Sequence, residues 1–341
     1  MRIVQAYGLD MTLFQFDGDL TFAVFFLNSD RTIYGRYGTR VSHEGDETVS
    51  LSGVKAAMES ALKLHSGYPG NKAILAGKQG GIPKWKNPEA IPNLPGPKVP
   101  ADGSRGKCIH CHQIGMGYLQ TFRQSGQPIP ISVLWSFPNP AVLGLDFDPT
   151  FRTRLRNVPE GSPAFKAGLR AGDDIETADG EPMISIADVQ WALQQKFAPG
   201  KVVFEVLRNG KKEVATLELE TDWRKRDDFT WRTMVWPLRL QLLGFRIGPI
   251  GDAERRRLGL GKEQSAFKVV EIPPGWLKEA NRGPEKAGLK KGDIVVAFEG
   301  RSRFEEKDLL AFMVLERKPE ESMTITVRRG DKTFDVRFAV K

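Results

Sequence analysis

The spacing of apolar positions changes along the chain, and each change marks an element. Leu20–Asn28, LTFAVFFLN, is a continuous apolar run, the pattern of a strand covered on both faces. The turn Ser29-Asp30-Arg31 leads into TIYGRYG, Thr32–Gly38, so the two stretches predict a hairpin. MRIVQA, Met1–Ala6, reads as a short strand ahead of them. Val54, Ala57, Met58, Ala61, Leu62 and Leu64 then recur at helical spacing. They predict a helix over SGVKAAMESALKLHSGY, with Ser52 as its cap.

Residues 71–107 lose this periodicity. GGIPKWKNPEAIPNLPGPKVPADGSRGK, residues 80–107, holds six prolines, which deny both a long helix and a central strand. An extended linker draped on a surface is expected. Beyond residue 139 a pattern appears twice. GSPAFKAGLRAGDDIETADGEPM (Gly161–Met183) and GPEKAGLKKGDIVVAFEGRSR (Gly283–Arg303) share A-G-L-x-x-G-D. Each copy follows a strand with a glycine near its start, VLGLDFD (Val142–Asp148) or LLGFRIG (Leu242–Gly248). Each precedes an amphipathic helix, SIADVQWALQQK or FEEKDLLAFMVLE, and then a hairpin turning at Asn209-Gly210 or Gly330-Asp331. IPPGWLKEANR, Ile272–Arg282, is an insertion in the second copy alone.

This repeat resembles the PDZ domain twice over. The first 70 residues resemble the second half of a thioredoxin-like fold, without its redox cysteines and without the strand and helix that come before. Such a unit would be redox-inactive and would leave a sheet edge uncovered. The expected fold class is therefore α+β and multidomain: a truncated thioredoxin-like α/β unit followed by two PDZ-like β-barrel or sandwich domains. The expected divisions are 1–70, a linker at 71–107, a cysteine-bearing segment at 108–138, PDZ at 139–222, a tryptophan-rich connector at 223–238, and PDZ at 239–341. The resemblance implies peptide binding by strand addition, with the carboxylate loops at Leu143-Gly144-Leu145 and Leu243-Gly244-Phe245. Val189 and Leu193, or Leu309 and Phe312, would line the side-chain pockets or belong to the core. The connector's three tryptophans would pack domains together or cover a cofactor face.

Composition narrows the function. The chain has 341 residues and a net charge of +8, but acids interleave with the bases, so nucleic-acid binding is not expected. No run is long and apolar enough to span a membrane. No leader is visible at Met1, which fits a start inside a longer protein. Only two cysteines occur, and they sit in KCIHCHQIG, Lys107–Gly115. Cys108, Cys111 and His112 form C-x-x-C-H, the attachment signature of c-type haem: two thioethers to the porphyrin and His112 on the iron. Zinc, a redox disulfide, or no ligand at all remain as alternative readings of the cluster. His110, Met116, His43, His65, Met183 and Met234 are candidates for the sixth iron position, alongside a partner chain or an open site.

The order of linker, C-x-x-C-H and PDZ resembles bacterial, planctomycete-type multidomain proteins. Haem attachment implies export and a periplasmic location. No G-x-S-x-G nucleophile motif is present, so proteolysis is not expected. The reading is an exported, non-enzymatic protein that binds peptides or protein C-termini. Haem c would serve electron transfer or redox sensing with a redox partner, and an oligomer is compatible with this. The alternatives are a PDZ scaffold whose cluster holds zinc or nothing, and a thiol-disulfide oxidoreductase.

Overall fold

The computed structural model describes residues 2–45, 47–95, 109–196, 198–275, 277 and 280–341; Cys108 lies outside them. The chain divides into two compact units. The first holds Met1–Thr121 and Pro130–Asp228; the second holds Phe122–Ile129 and Phe229–Lys341.

In the first unit the predicted hairpin forms. β1 (Val24–Leu27) pairs antiparallel with β2 (Ile33–Tyr37), Phe25 opposite Arg36. Their sheet has two strands. The apolar run yields only four strand residues, and residues 2–6 add none: the Ala6 amide donates instead to the Ile109 carbonyl at 2.8 Å. α1 (Leu51–Ser66) starts two residues earlier than the sequence suggests. Ser50 is the extended residue whose Oγ accepts from Gly53 N at 2.8 Å, whereas Ser52 is already helical. The buried face of α1 is its small residues, Gly53, Ala57 and Ala61, while Met58 and Leu62 are exposed.

The described part of the expected linker, residues 71–95, is packed rather than draped. It folds into 3₁₀ turns at Lys72–Lys78 and Pro88–Ala90, and Leu75, Lys78 and Ile91 are buried. Pro88 sits at the first helical position, where its missing N–H costs nothing. α2 (Cys111–Gln124) and the short α3 (Ile131–Leu134) follow.

Next come β3 (Asp146–Phe147), β4 (Leu155–Asn157), α4 (Pro163–Lys166), β5 (Asp174–Ala178), β6 (Glu181–Pro182), α5 (Ile186–Gln194), β7 (Gly200–Arg208) and β8 (Lys211–Leu219). β3 pairs with β4, and a second sheet has the order β6-β5-β7-β8. The β7–β8 loop holds Asn209 and Gly210 at φ of 49° and 77°, the turn that Asn-Gly is suited to. Leu145, Leu169, Ile175, Val189, Leu193, Phe204, Leu217 and Trp223 belong to one buried core.

The second unit repeats this order. α6 (Val235–Leu242), β9 (Arg246–Pro249), α7 (Asp252–Arg257), β10 (Phe267–Glu271), α8 (Gly283–Lys286), β11 (Ile294–Phe298), α9 (Glu306–Leu315), β12 (Ser322–Arg329) and β13 (Lys332–Ala339) build a five-stranded sheet, β13-β12-β11-β10-β9. α6 and α7 had no counterpart in the sequence reading. Residue 242, expected in a strand, closes α6 instead.

The shared A-G-L-x-x-G-D motif has one physical meaning in both copies. Gly168 and Gly172 have φ of 91° and 90°, and Gly288 and Gly292 have 95° and 93°, conformations that glycine adopts without strain. Asp173 is fully buried and takes Arg208 Nε and Nη2 at 2.7 Å each; Arg208 also reaches the Gly168 carbonyl. Asp293 takes Arg329 at 2.7 and 2.8 Å, and Arg329 reaches the Gly288 carbonyl. Each aspartate also accepts a backbone amide, from Arg170 or Lys290. A forked arginine is thus tied to each loop by charge-assisted bonds.

Candidate functional site

A PDZ-type groove lies between the strand after the glycine loop and the long helix. In the first unit these walls are β3 and α5. Leu143, Gly144 and Leu145 are all buried, and Gly144 has φ of 86°. A Cβ at Gly144 would come within 2.3 Å of Ser162 Oγ, so the loop is packed closely on α4. Leu243, Gly244 and Phe245 repeat this arrangement in the second unit. There a Cβ at Gly244 would fall 1.7 Å from the Asn281 carbonyl oxygen. The glycines are therefore required for close backbone approach. Val189 and Leu193, at 0% exposure, and Leu309 and Phe312 are core residues in the folded chain.

α5 is buried on every side: each residue from Ile186 to Leu193 is covered. One face carries Ile186, Val189, Ala192 and Leu193 into the core. The rest is bound by the N-terminal segment and residues 132–139. The Arg36 amide donates to Asp188 Oδ1 at 3.0 Å, and Ser185 Oγ donates to the Arg36 carbonyl at 2.5 Å. Thr39 donates to Gln190, Trp191 Nε1 to the Gly77 carbonyl, and Gln190 Nε2 to the Phe137 carbonyl. The C-terminal end of the helix is held by Arg224. Its guanidinium takes the carbonyls of Leu193, Gln194 and Lys196, groups a helix end leaves unpaired. Burial pulls Arg224 down to about 10.

A charged cluster sits in this contact. Lys78 Nζ lies 3.0 Å from Asp188 Oδ2 with both side chains at 0% exposure, and Arg36 Nη1 lies 4.0 Å from Asp188 Oδ1. The lysine is an ion-pair partner of Asp188 without a well-aligned hydrogen bond. The Arg36 guanidinium also stacks over the Trp191 ring at 3.9 Å. Burial lowers Lys78 and brings Arg36 to about 10, while burial raises the nearby Glu181 carboxyl. Sequence reading missed all three residues of this cluster. Arg36 and Asp188 are 152 positions apart, and an aspartate three residues after Ser185 reads as ordinary helix capping.

Cys111 opens α2, half-buried against a cluster that includes Ile109, Phe14, Phe16 and Ile114. Burial raises its thiol, and burial with the neighbouring His110 lowers His112. The rings of His110 and His112 stack at 5.6 Å. Among the described residues, which leave out Cys108, no three His, Cys, Asp or Glu side chains converge as a metal site. Met183 and Met234 are buried core residues, and His65 Nδ1 contacts Tyr34 Oη at 2.7 Å. A cavity of about 310 Å³ lies beside α2, lined in part by Phe14, Phe16, Ile114, Tyr118, Phe137 and Trp191. Among the described residues no helix is long and apolar enough to cross a membrane.

Residues 141–219 match the family model of the PDZ domain. The chain is 30% identical over 148 residues to a "Probable periplasmic serine endoprotease DegP-like" of Pseudomonas putida, covering 41% of this chain and 28% of that protein. It is 28% identical over 189 residues to a protein of the same name in Chlamydia trachomatis, covering 54% and 33%. It is 25% identical over 181 residues to "Periplasmic serine endoprotease DegP" of Salmonella typhimurium, covering 53% and 32%. Among solved structures, an HtrA3 PDZ domain bound to a phage-derived ligand is similar at 21% identity and a TM-score of 0.22, covering 29% of this chain and 82% of that one.

The chain spans about a third of the length of the curated relatives it matches. Their naming corrects the expected function. Proteins named as serine endoproteases stand where a non-enzymatic haem protein for electron transfer or redox sensing was expected. The scaffold and thiol-oxidoreductase alternatives receive no support from them either. The expected extracytoplasmic location agrees with the relatives, which are named periplasmic.

Proposed function

We propose that this chain recognises extended peptide segments for DegP-like proteolysis in the periplasm. The observation that carries this reading is the PDZ match over residues 141–219, a fold whose glycine loop and arginine tie recur in the second unit. The second unit supports it by repeating the Arg–Asp–Gly tie of the first and by ending its sheet on β9, an edge strand beside which a peptide can add. We read it as a second PDZ domain. A serine peptidase of the Ser-His-Asp type needs a serine hydroxyl activated by a histidine. The described histidine ring contacts join His65 to Tyr34 and His110 to His112, so the chain's own part in this reading is substrate recognition. The test pans a display library of free C-terminal peptides on the full chain and titrates the selected decapeptides by fluorescence anisotropy. Micromolar or tighter binding is expected for a PDZ-type groove, on the order of −8 kcal/mol. Failure to enrich any peptide overturns the reading. Cleavage of labelled casein, blocked by a serine-directed inhibitor, would add peptidase activity to it.

A cofactor is a separate proposal. Cys108 and Cys111 would attach haem, with His112 on the iron, and the haem would supply a redox-active iron when bound. The supporting observation is the cavity: Ile114, Gly115 and Tyr118, one helical face with Cys111, line it together with aromatic rings. Cys111 is free of a disulfide. A pyridine haemochrome spectrum of chain matured in a haem-ligating host tests this. Absence of covalent haem overturns it, and Cys111→Ser should lower the covalent yield.

A further inference from the structure

The two helices that would wall the peptide grooves differ in how much of each is covered. Asp188 and Asp308 occupy the same place, three residues after the helix N-cap, Ser185 or Glu305. Asp308 is exposed and caps its own helix, its Oδ2 accepting from the Glu305 amide at 2.7 Å. Asp188 is fully buried and turned over to β2 and Lys78. The α9 N-cap Glu305, and Asp308 and Leu315 on the helix, face solvent. On α5, no residue from Ile186 to Leu193 does.

The segment that covers α5 also reaches the other wall. From Arg36 and Thr39, which bond the helix, the chain runs to Ser50, whose Oγ donates to the Pro149 carbonyl at 2.6 Å, just past β3. Tyr37 Oη ties the two ends together through the Ser50 backbone. β2 does not extend the β3–β4 sheet; it lies against α5. The fit depends on Gly35. A Cβ there would fall 2.4 Å from the buried Ile184 side chain and 2.5 Å from Asp188 Oδ2. β2 is itself an edge strand, and its outer amide at Arg36 is satisfied by Asp188.

Resting on the proposed peptide recognition, we infer that the first PDZ groove is closed by this chain's own β2–Thr39 segment, and that peptide capture falls to the second unit. The first groove then serves as an intramolecular anchor. Any external peptide competing for it meets a site open only for a small fraction of the time, which weakens its apparent affinity by at least about a hundredfold.

Thiol labelling of the full chain tests this without any peptide. Gln190→Cys, located by mass spectrometry, should label at least about a hundredfold slower than Val214→Cys, an exposed position on β8. Adding Gly35→Val, which pushes β2 from α5, should speed labelling of Gln190→Cys at least about tenfold with the circular dichroism retained. Fast labelling of Gln190→Cys in the otherwise native chain overturns the inference, and so does a Gly35→Val chain that folds yet leaves Gln190→Cys protected. Hydrogen exchange adds a second readout that needs no variant. Decapeptides selected on the native chain should protect β9 and α9, and protection of β3 and α5 instead refutes closure. If no peptide is selected at all, the recognition function fails while the labelling result still decides the closure.

Discussion

Replacing Asp188 with asparagine isolates the charge at the centre of the first unit. The shape is kept, but the single amide oxygen can take only one of the two amides that Asp188 accepts, Arg36 N on Oδ1 or Ile184 N on Oδ2. The counter-charge 3.0 Å from Lys78 is lost, and the new NH₂ competes for the same space. Removing one partner of a buried pair costs about 3–5 kcal/mol, because the other charge stays buried. Lys78 also sets a ceiling. It can shed its proton, and neutralising a lysine of ordinary value 10.5 at pH 7 costs about 5 kcal/mol at 1.36 kcal/mol per pH unit. The expected loss at pH 7 is therefore about 3–5 kcal/mol, read by urea unfolding as a lowered midpoint for the first unit.

The sign with pH follows from proton counting. In the variant, folded Lys78 holds its proton less well than the unfolded lysine, so stability rises with pH in the window below 10.5. Near pH 9.5 the ceiling falls to about 1.4 kcal/mol. Lys78→Met in the same chain should restore most of the loss at pH 7, since it removes the stranded charge. A loss under about 1 kcal/mol at pH 7, or one that does not change with pH, would show that the pair is not desolvated and refute the reasoning.

Arg208→Ala should cost about 1.5–3 kcal/mol, the range for hydrogen bonds to charged groups, and Arg329→Ala should lower the midpoint of the second unit; no loss at Arg329 in denaturant melts would break the parallel between the two loops. Gly210→Ala, at φ of 77°, should cost about 1 kcal/mol through left-handed strain, whereas Lys211→Ala beside it should fall within about 0.5 kcal/mol, both checked by thermal melts. His112 sits below its ordinary value of 6.5 because of burial. Its neutral form is favoured in the fold, so stability should fall as pH drops through 6.5 toward the folded value, and His112→Gln should flatten that slope in urea melts at pH 5 and pH 7.5.

The hairpin at β1–β2, both Asn-Gly and Gly-Asp turns, and the doubled A-G-L-x-x-G-D loops were legible because each is decided within a few residues. Glycine alone suits φ near 90° there, and a two-residue turn fixes the register of the strands beside it. Periodicity also located α1, but not its cap: Ser50 and Ser52 are both serines ahead of an apolar run, and backbone conformation chose between them. The proline-rich stretch illustrates the opposite limit. Composition excluded a long helix there, yet it carried no sign that Lys78 would be buried.

What the chain alone determined is therefore the repeated loop and hairpin chemistry. Tertiary structure decided how deeply the helix after each loop is buried. Asp188 and Asp308 read alike in sequence, each three residues into a helix. Only the approach of β2 and Lys78, from more than a hundred positions away, turns the first into the buried counter-ion of Lys78 and leaves the second a solvent-exposed cap. The reason is that burial and ion pairing depend on distances in space, and nothing in the local pattern encodes them.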